Sequence, residues 1–110
     1  MIGYEDFLKL DIRAGTVINA QPFPKARKPA YQLKIDFGDD IGILQSSAQI
    51  TELYQCPDLI GKSVCAVVNF PEKQIADFMS QCLVLGFYNP DGAVSLIAPD
   101  HDIANGSKLC

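Results

Sequence analysis

Between Pro29 and Gly38 the chain alternates strictly: Tyr31, Leu33, Ile35 and Phe37 are apolar, while Gln32, Lys34 and Asp36 are polar. A period of two sends the first set to one face of a strand and the second to the other, which defines a half-buried strand of an antiparallel sheet. Gly38-Asp39-Asp40 turns this strand into the next, residues 41–47. Upstream, Ile12, Ala14, Ile18 and Ala20 mark a long first strand, and Gly15 within it predicts a bulge or sharp bend. Pro22, Pro24 and Pro29 bracket a basic loop, Lys25-Ala26-Arg27-Lys28, and keep it out of any central strand.

The second half is richer in continuous apolar runs. Residues 63–69 contain Val64-Cys65-Ala66-Val67-Val68, and residues 82–88 contain Leu83-Val84-Leu85; neither alternates, so both faces of each strand should be covered. Asn89-Pro90-Asp91-Gly92 turns the chain into a last strand, residues 94–98. Three short helices are expected. Residues 4–10 set Tyr4, Phe7 and Leu8 on one side behind Glu5 and Asp6. Ile50, Leu53 and Tyr54 suit a turn or two ending before Pro57, and residues 74–79 place Ile75, Phe78 and Met79 inward. Five or six short strands with a helix between the third and fourth predict an all-β fold with short helices. Its form is a Greek-key barrel of the OB type spanning 1–110 as one domain. With 48% apolar residues the chain can bury a core without staples. Two strands apolar on both faces exceed the needs of one small barrel, which predicts a homodimer burying more than about 1,000 Å².

The net charge is −4 and the pI about 4.7, which opposes strong non-specific binding to phosphate backbones. The distribution softens this, because Lys9, Arg13, Lys25, Arg27, Lys28 and Lys34 are six of the nine basic residues. They form either a local positive surface or ordinary solubilising charge. No run approaches the ~20 apolar residues of a membrane span, and the start, Met1-Ile2-Gly3-Tyr4-Glu5-Asp6, is acidic, so a cytoplasmic location is expected. Cys56, Cys65, Cys82 and Cys110 form no CxxC pair and His101 is the single imidazole, so no metal site is expected and the thiols should be reduced. Gly61-Lys62-Ser63 imitates the end of a phosphate loop, but Cys56 stands where the first glycine belongs. A hydrolase built on Asp100-His101-Asp102 is a remote possibility without a nucleophile elbow. Tyr31 and Phe37 fall on the apolar side of their strand, so no aromatic stacking platform is visible.

The run Ser46-Ser47-Ala48-Gln49-Ile50-Thr51 is dense in hydrogen-bonding groups yet uncharged. It reads either as a polar contact surface for a ribose-phosphate or peptide backbone, or as a strand end whose Ser46 or Ser47 caps a helix. Taken with Phe7-Leu8-Lys9-Leu10-Asp11-Ile12-Arg13, Lys28-Pro29-Ala30-Tyr31, Leu33-Lys34-Ile35-Asp36-Phe37-Gly38 and Val67-Val68-Asn69-Phe70-Pro71, it resembles a known family. The resemblance is to the CsaA family of export-related chaperones, a branch of the tRNA-binding domains also found appended to methionyl-tRNA synthetases. It covers essentially the whole chain. It implies an OB barrel with extensions at both ends that build a homodimer, binding of tRNA and of unfolded precursor proteins before export, and neither catalysis nor a cofactor. The chain departs from synthetase-appended relatives at Ser80-Gln81-Cys82-Leu83, where they tend to show Ser-x-Gly-Met, and Glu72 dilutes the basic character beside Lys73. The RNA-binding residues expected on this basis are Arg13, Lys34, Ser46, Ser47, Gln49, Lys73 and Ser80, with lysine and arginine serving phosphates. Precursor proteins are expected in apolar grooves along the dimer seam.

Overall fold

A computed structural model describes residues 1–110. The elements run α1 (Tyr4–Leu8), β1 (Ile12–Pro22), β2 (Tyr31–Asp36), β3 (Ile43–Ala48), α2 (Cys56–Leu59), β4 (Ser63–Val67), β5 (Lys73–Ile75), β6 (Phe78–Ser80), β7 (Leu83–Val84), β8 (Gly86–Tyr88) and β9 (Val94–Leu96). Five strands form one antiparallel sheet in the order β3-β2-β1-β4-β7. The sheet curls until β3 meets the segment leading into β7. There Gln81 N donates to Gln45 O at 2.8 Å and Ser46 Oγ donates to Cys82 O at 2.8 Å. The result is a nearly closed five-stranded barrel, as the strand pattern predicts.

The alternation of β2 builds the core. Leu33, Ile35 and the following Phe37 are essentially inaccessible, and they pack with Val17, Ile50, Leu59, Val64 and Ala66. Fully burying one such side chain is worth about 1.5–3 kcal/mol. Strand β1 serves two neighbours: Ile12–Thr16 pairs with β4 and Thr16–Pro22 with β2. The register slips between Val17 and Asn19, so the irregularity falls at Ile18 and not at Gly15. Gly15 is required for space instead, since a Cβ there would stand 2.7 Å from Ile35 Cγ2. Where β2 diverges from the start of β1, the C-terminal segment takes the vacant edge. Ala14 N donates to Ser107 O, Gly106 N to Ala14 O and Leu109 N to Ile12 O.

Strand β4 is covered on both faces, as its unbroken apolar run predicts. The cover comes from this chain: Ile12, Cys65 and Val67 form a second cluster closed by Leu10, Leu85 and Ile97. The strand therefore leaves no apolar excess of its own for a partner. Other expectations change. Residues 74–79 form the β5–β6 hairpin and not a helix, with Ile75 paired to Phe78 across an Ala76-Asp77 tip. The span 82–88 divides into β7 and β8, which join different sheets, and its outer residues Leu83, Phe87 and Tyr88 are exposed. The helical turn expected from Ile50 to Tyr54 lies further on, at Cys56–Leu59, where Pro57 starts it and Leu59 plugs the core.

Cys65 and Cys82 are buried, whereas Cys110 is exposed. Burial pushes the Cys82 thiol up to about 11 and raises that of Cys65. At about pH 8 native labelling should therefore reach Cys110 and spare Cys65 and Cys82 until the chain unfolds. The raised thiol also has a stability consequence. Its contribution is complete below the ordinary thiol pKa of about 8.5 and is lost as pH rises towards about 11, because only the unfolded chain releases the proton early. Rapid native modification of both buried thiols would contradict this packing.

Candidate nucleic-acid interface

Cross-strand partners in an antiparallel sheet share a face. The rows Asn19–Lys34–Gln45 and Gln21–Gln32–Ser47 therefore lie together on the outer surface of β1, β2 and β3. Their inward neighbours, Ala20, Leu33 and Ser46, point into the barrel. These two rows are a lattice of amides and one hydroxyl, in which Gln21 Nε2 donates to Gln32 Oε1 at 2.7 Å and Lys34 is the only charge; the next row on the same face, Thr16–Asp36–Ile43, adds a carboxylate.

At Ser47 this face opens into a groove of about 430 Å³. The end of β3 through Ile50 forms one side, and the β5–β6 hairpin, β7 and the β8–β9 hairpin form the rest. Ser47, Gln49, Lys73 and Ser80 line it alongside Ile50, Phe70, Ile75, Leu83, Tyr88 and Val94. The hairpin is fastened to β3 by polar bonds: Ser47 N donates to Ser80 Oγ at 3.1 Å, and Gln45 Nε2 to Met79 O at 2.9 Å. A groove with hydroxyls, amides, one ammonium and exposed rings offers hydrogen bonds to any polar backbone and flat apolar surface to bases or side chains.

Of the seven residues expected from sequence, Ser47, Gln49, Lys73 and Ser80 come together at the groove, and Lys34 stands on the adjoining face. Ser46 does not reach the surface. It is 1% exposed and its hydroxyl closes the barrel seam on Cys82 O, so it is neither a ligand contact nor a helix cap. Arg13 lies apart, beside the C-terminal segment. Its guanidinium pairs with Asp11 and donates through Nη1 to Gly106 O at 2.9 Å. The hydrogen bond to Asp11 is the main cause that raises its pKa. Its bonding groups are engaged within the chain, which makes it a clasp.

Two groups escaped the sequence reading. Asn19, Gln21, Gln32 and Gln45 share the face of Lys34 and Ser47; their signal was the same period of two that located the core. Phe70 and Tyr88 supply exposed rings at the groove, where the sequence pattern of Tyr31 and Phe37 shows no stacking platform. Phe37 is indeed buried, and Tyr31 is half-buried with its hydroxyl donating to Tyr54 O. The basic loop, read from sequence as either a local positive surface or solubilising charge, sits against the β5–β6 hairpin. Phe23 anchors it against Phe78 of the hairpin, ring centroids 5.4 Å apart, and Lys25 reaches Asp77 at the hairpin tip. His101 stands in solvent 3.6 Å from Asp100, and the hydroxyl of Ser107 donates to Ala104 O, which gives the hydrolase idea no support.

A barrel of this topology with a polar outer face defines an OB-type binding domain. The family model described as a putative tRNA binding domain matches residues 12–108, and the chain belongs to that family. Methionine–tRNA ligase of Bacteroides fragilis is 35% identical over 108 residues, which is 98% of this chain and 16% of the ligase. Among solved structures the likeness to CsaA chaperones extends from end to end. The chaperone CsaA of Bacillus anthracis superposes with a TM-score of 0.94 at 51% identity, covering 100% of this chain and 99% of that one. The CsaA chaperone protein of Picrophilus torridus gives 0.94 at 53% identity and full coverage of both chains, 100% each. No helix is long and apolar enough to cross a membrane.

Proposed function

We propose that this chain is a non-catalytic binding protein of the cytoplasm that holds tRNA on the outer face of β1–β3 and in the adjoining groove. The observation that carries the reading is the convergence of Lys34, Ser47, Gln49, Lys73 and Ser80 on one continuous surface within a tRNA-binding family fold. Lys34 and Lys73 meet phosphates, the hydroxyls and amides meet ribose and base edges, and Phe70 and Tyr88 offer stacking faces. Ser46 supports this surface from below.

The groove's apolar lining favours a second use: an unfolded precursor protein destined for export. Leu83, Ile75, Phe70 and Tyr88 can take alternate side chains of an extended segment while Ser47 and Gln49 meet its backbone. If both ligands use this groove, an excess of unfolded precursor should displace labelled tRNA from the protein. Simultaneous binding without competition would assign the peptide to another surface.

We further propose a homodimer. The support is the set of apolar side chains left exposed, Leu8, Leu83, Ile103 and Leu109, and not β4, which its own chain covers. Sedimentation should show a dimer at low micromolar concentration; a stable monomer there would contradict it.

A further inference from the structure

The basic loop between β1 and β2 offers three cations, and one of them is already occupied. Lys25 Nζ lies 2.7 Å from Asp77 Oδ2 at the tip of the β5–β6 hairpin. Arg27 and Lys28 form no ion pair. Lys73, at the other end of the same hairpin, lines the groove. The hairpin thus joins the groove to the cationic loop, with a carboxylate standing at the junction.

The pair does not serve to hold the loop. Its side chains are 68% and 62% exposed, and such surface pairs are worth about 1 kcal/mol or less. Phe23 does the holding: it is 4% exposed, packs its ring on Phe78, and its N–H donates to Ala30 O at 3.2 Å. The tip, moreover, is kept at a cost. Ala76 has φ 53°, a left-handed conformation that costs a residue with a Cβ roughly 1–2 kcal/mol. That conformation is what a two-residue hairpin turn requires; the ion pair, in a loop anchored by other means, is not needed to hold either element.

We propose that Asp77 masks Lys25 from RNA, so that the ion pair withholds one phosphate contact and sets the affinity of the tRNA surface. The inference rests on the tRNA reading given above. The hydrogen bond between the two groups is also the main cause that holds the Asp77 carboxyl below its ordinary range and the Lys25 ammonium above its own. Both groups are therefore charged across the whole neutral range, and the pair competes with RNA phosphates there without a pH switch.

The test measures tRNA binding by the full chain and by Asp77→Asn, Lys25→Gln, the double variant and Asp100→Asn, between about 50 and 200 mM salt. Asparagine suits a hairpin tip, and thermal unfolding confirms that each variant is folded. Freeing one phosphate contact steepens the log–log salt slope by about 0.9, so the affinity advantage of Asp77→Asn should grow about three-fold from the high to the low end of that range. Lys25→Gln should leave the slope unchanged, and in the double variant the gain should vanish. Asp100→Asn, which removes the same charge elsewhere, should bind as the parent does. An Asp77→Asn slope equal to the parent's, or a gain that persists without Lys25, overturns the masking role while the tRNA reading stands. A parent chain without salt-dependent tRNA binding overturns that reading, and this inference with it.

Discussion

Gly15→Val should cost about 3 kcal/mol of stability, the upper end of what over-packing a filled core produces. Gly15 is buried in the middle of β1, between β4 on one side and the start of β2 pairing on the other. Any Cβ there would stand 2.7 Å from Ile35 Cγ2 and 2.8 Å from the Phe37 ring. Both neighbours are themselves inaccessible, so neither has room to retreat. The backbone at Gly15 is ordinary strand, which makes space the sole reason for glycine. Domains of this size are stable by about 5–15 kcal/mol, so a large share of the total would go. Urea denaturation checks it: the midpoint should fall sharply with the slope unchanged. An unshifted midpoint would show that the barrel is looser at this crossing than the contacts imply.

The second large effect concerns RNA. Lys34→Ala combined with Lys73→Ala should weaken tRNA binding about a hundred-fold at roughly 50 mM salt and make the salt slope shallower by about two. The loss should be uniform across RNA sequences, because phosphate contacts position without reading bases. Arg13→Ala provides the contrast. Its guanidinium is engaged by Asp11 and the Gly106 carbonyl, so its loss should loosen the C-terminal segment on β1 and leave the salt slope alone. If the double lysine variant bound tRNA like the parent, the surface described here would not be the RNA site. Filter binding of labelled tRNA at graded salt measures all three proteins.

How far the sequence reveals the fold depends on whether local pattern and tertiary environment agree. They agree in β2, where Leu33, Ile35 and Phe37 alternate with polar residues and face the core, and in β4, whose unbroken apolar run is buried on both faces. They part at residues 74–79. Ile75 and Phe78 have helical spacing, yet a two-residue tip also brings these residues together across a hairpin, and Phe78 finds its partner in Phe23, far away in sequence. They part again at 82–88, where an apolar run sends Cys82, Val84 and Leu85 to the two core clusters and leaves Leu83, Phe87 and Tyr88 outside. Composition cannot distinguish an apolar residue bound for the core from one that lines a groove. The site shows the same limit. Ser46 and Ser47 are adjacent and chemically identical, but the strand period sends one into the barrel seam and the other to the surface. Arg13 and Lys34 are both cations on strands; only the contact with Asp11 and Gly106 reveals that the first is engaged.

The central claim is that this acidic chain binds tRNA through a small number of phosphate contacts on one polar face. The most direct test is the affinity of the unmodified protein for tRNA as a function of salt. With about three to five contacts the log–log slope should be roughly −3 to −4, with clear binding near 50 mM and weak binding near physiological salt. A slope near zero, or no binding at the lowest salt, would contradict the account and leave the apolar groove as a site for unfolded protein alone.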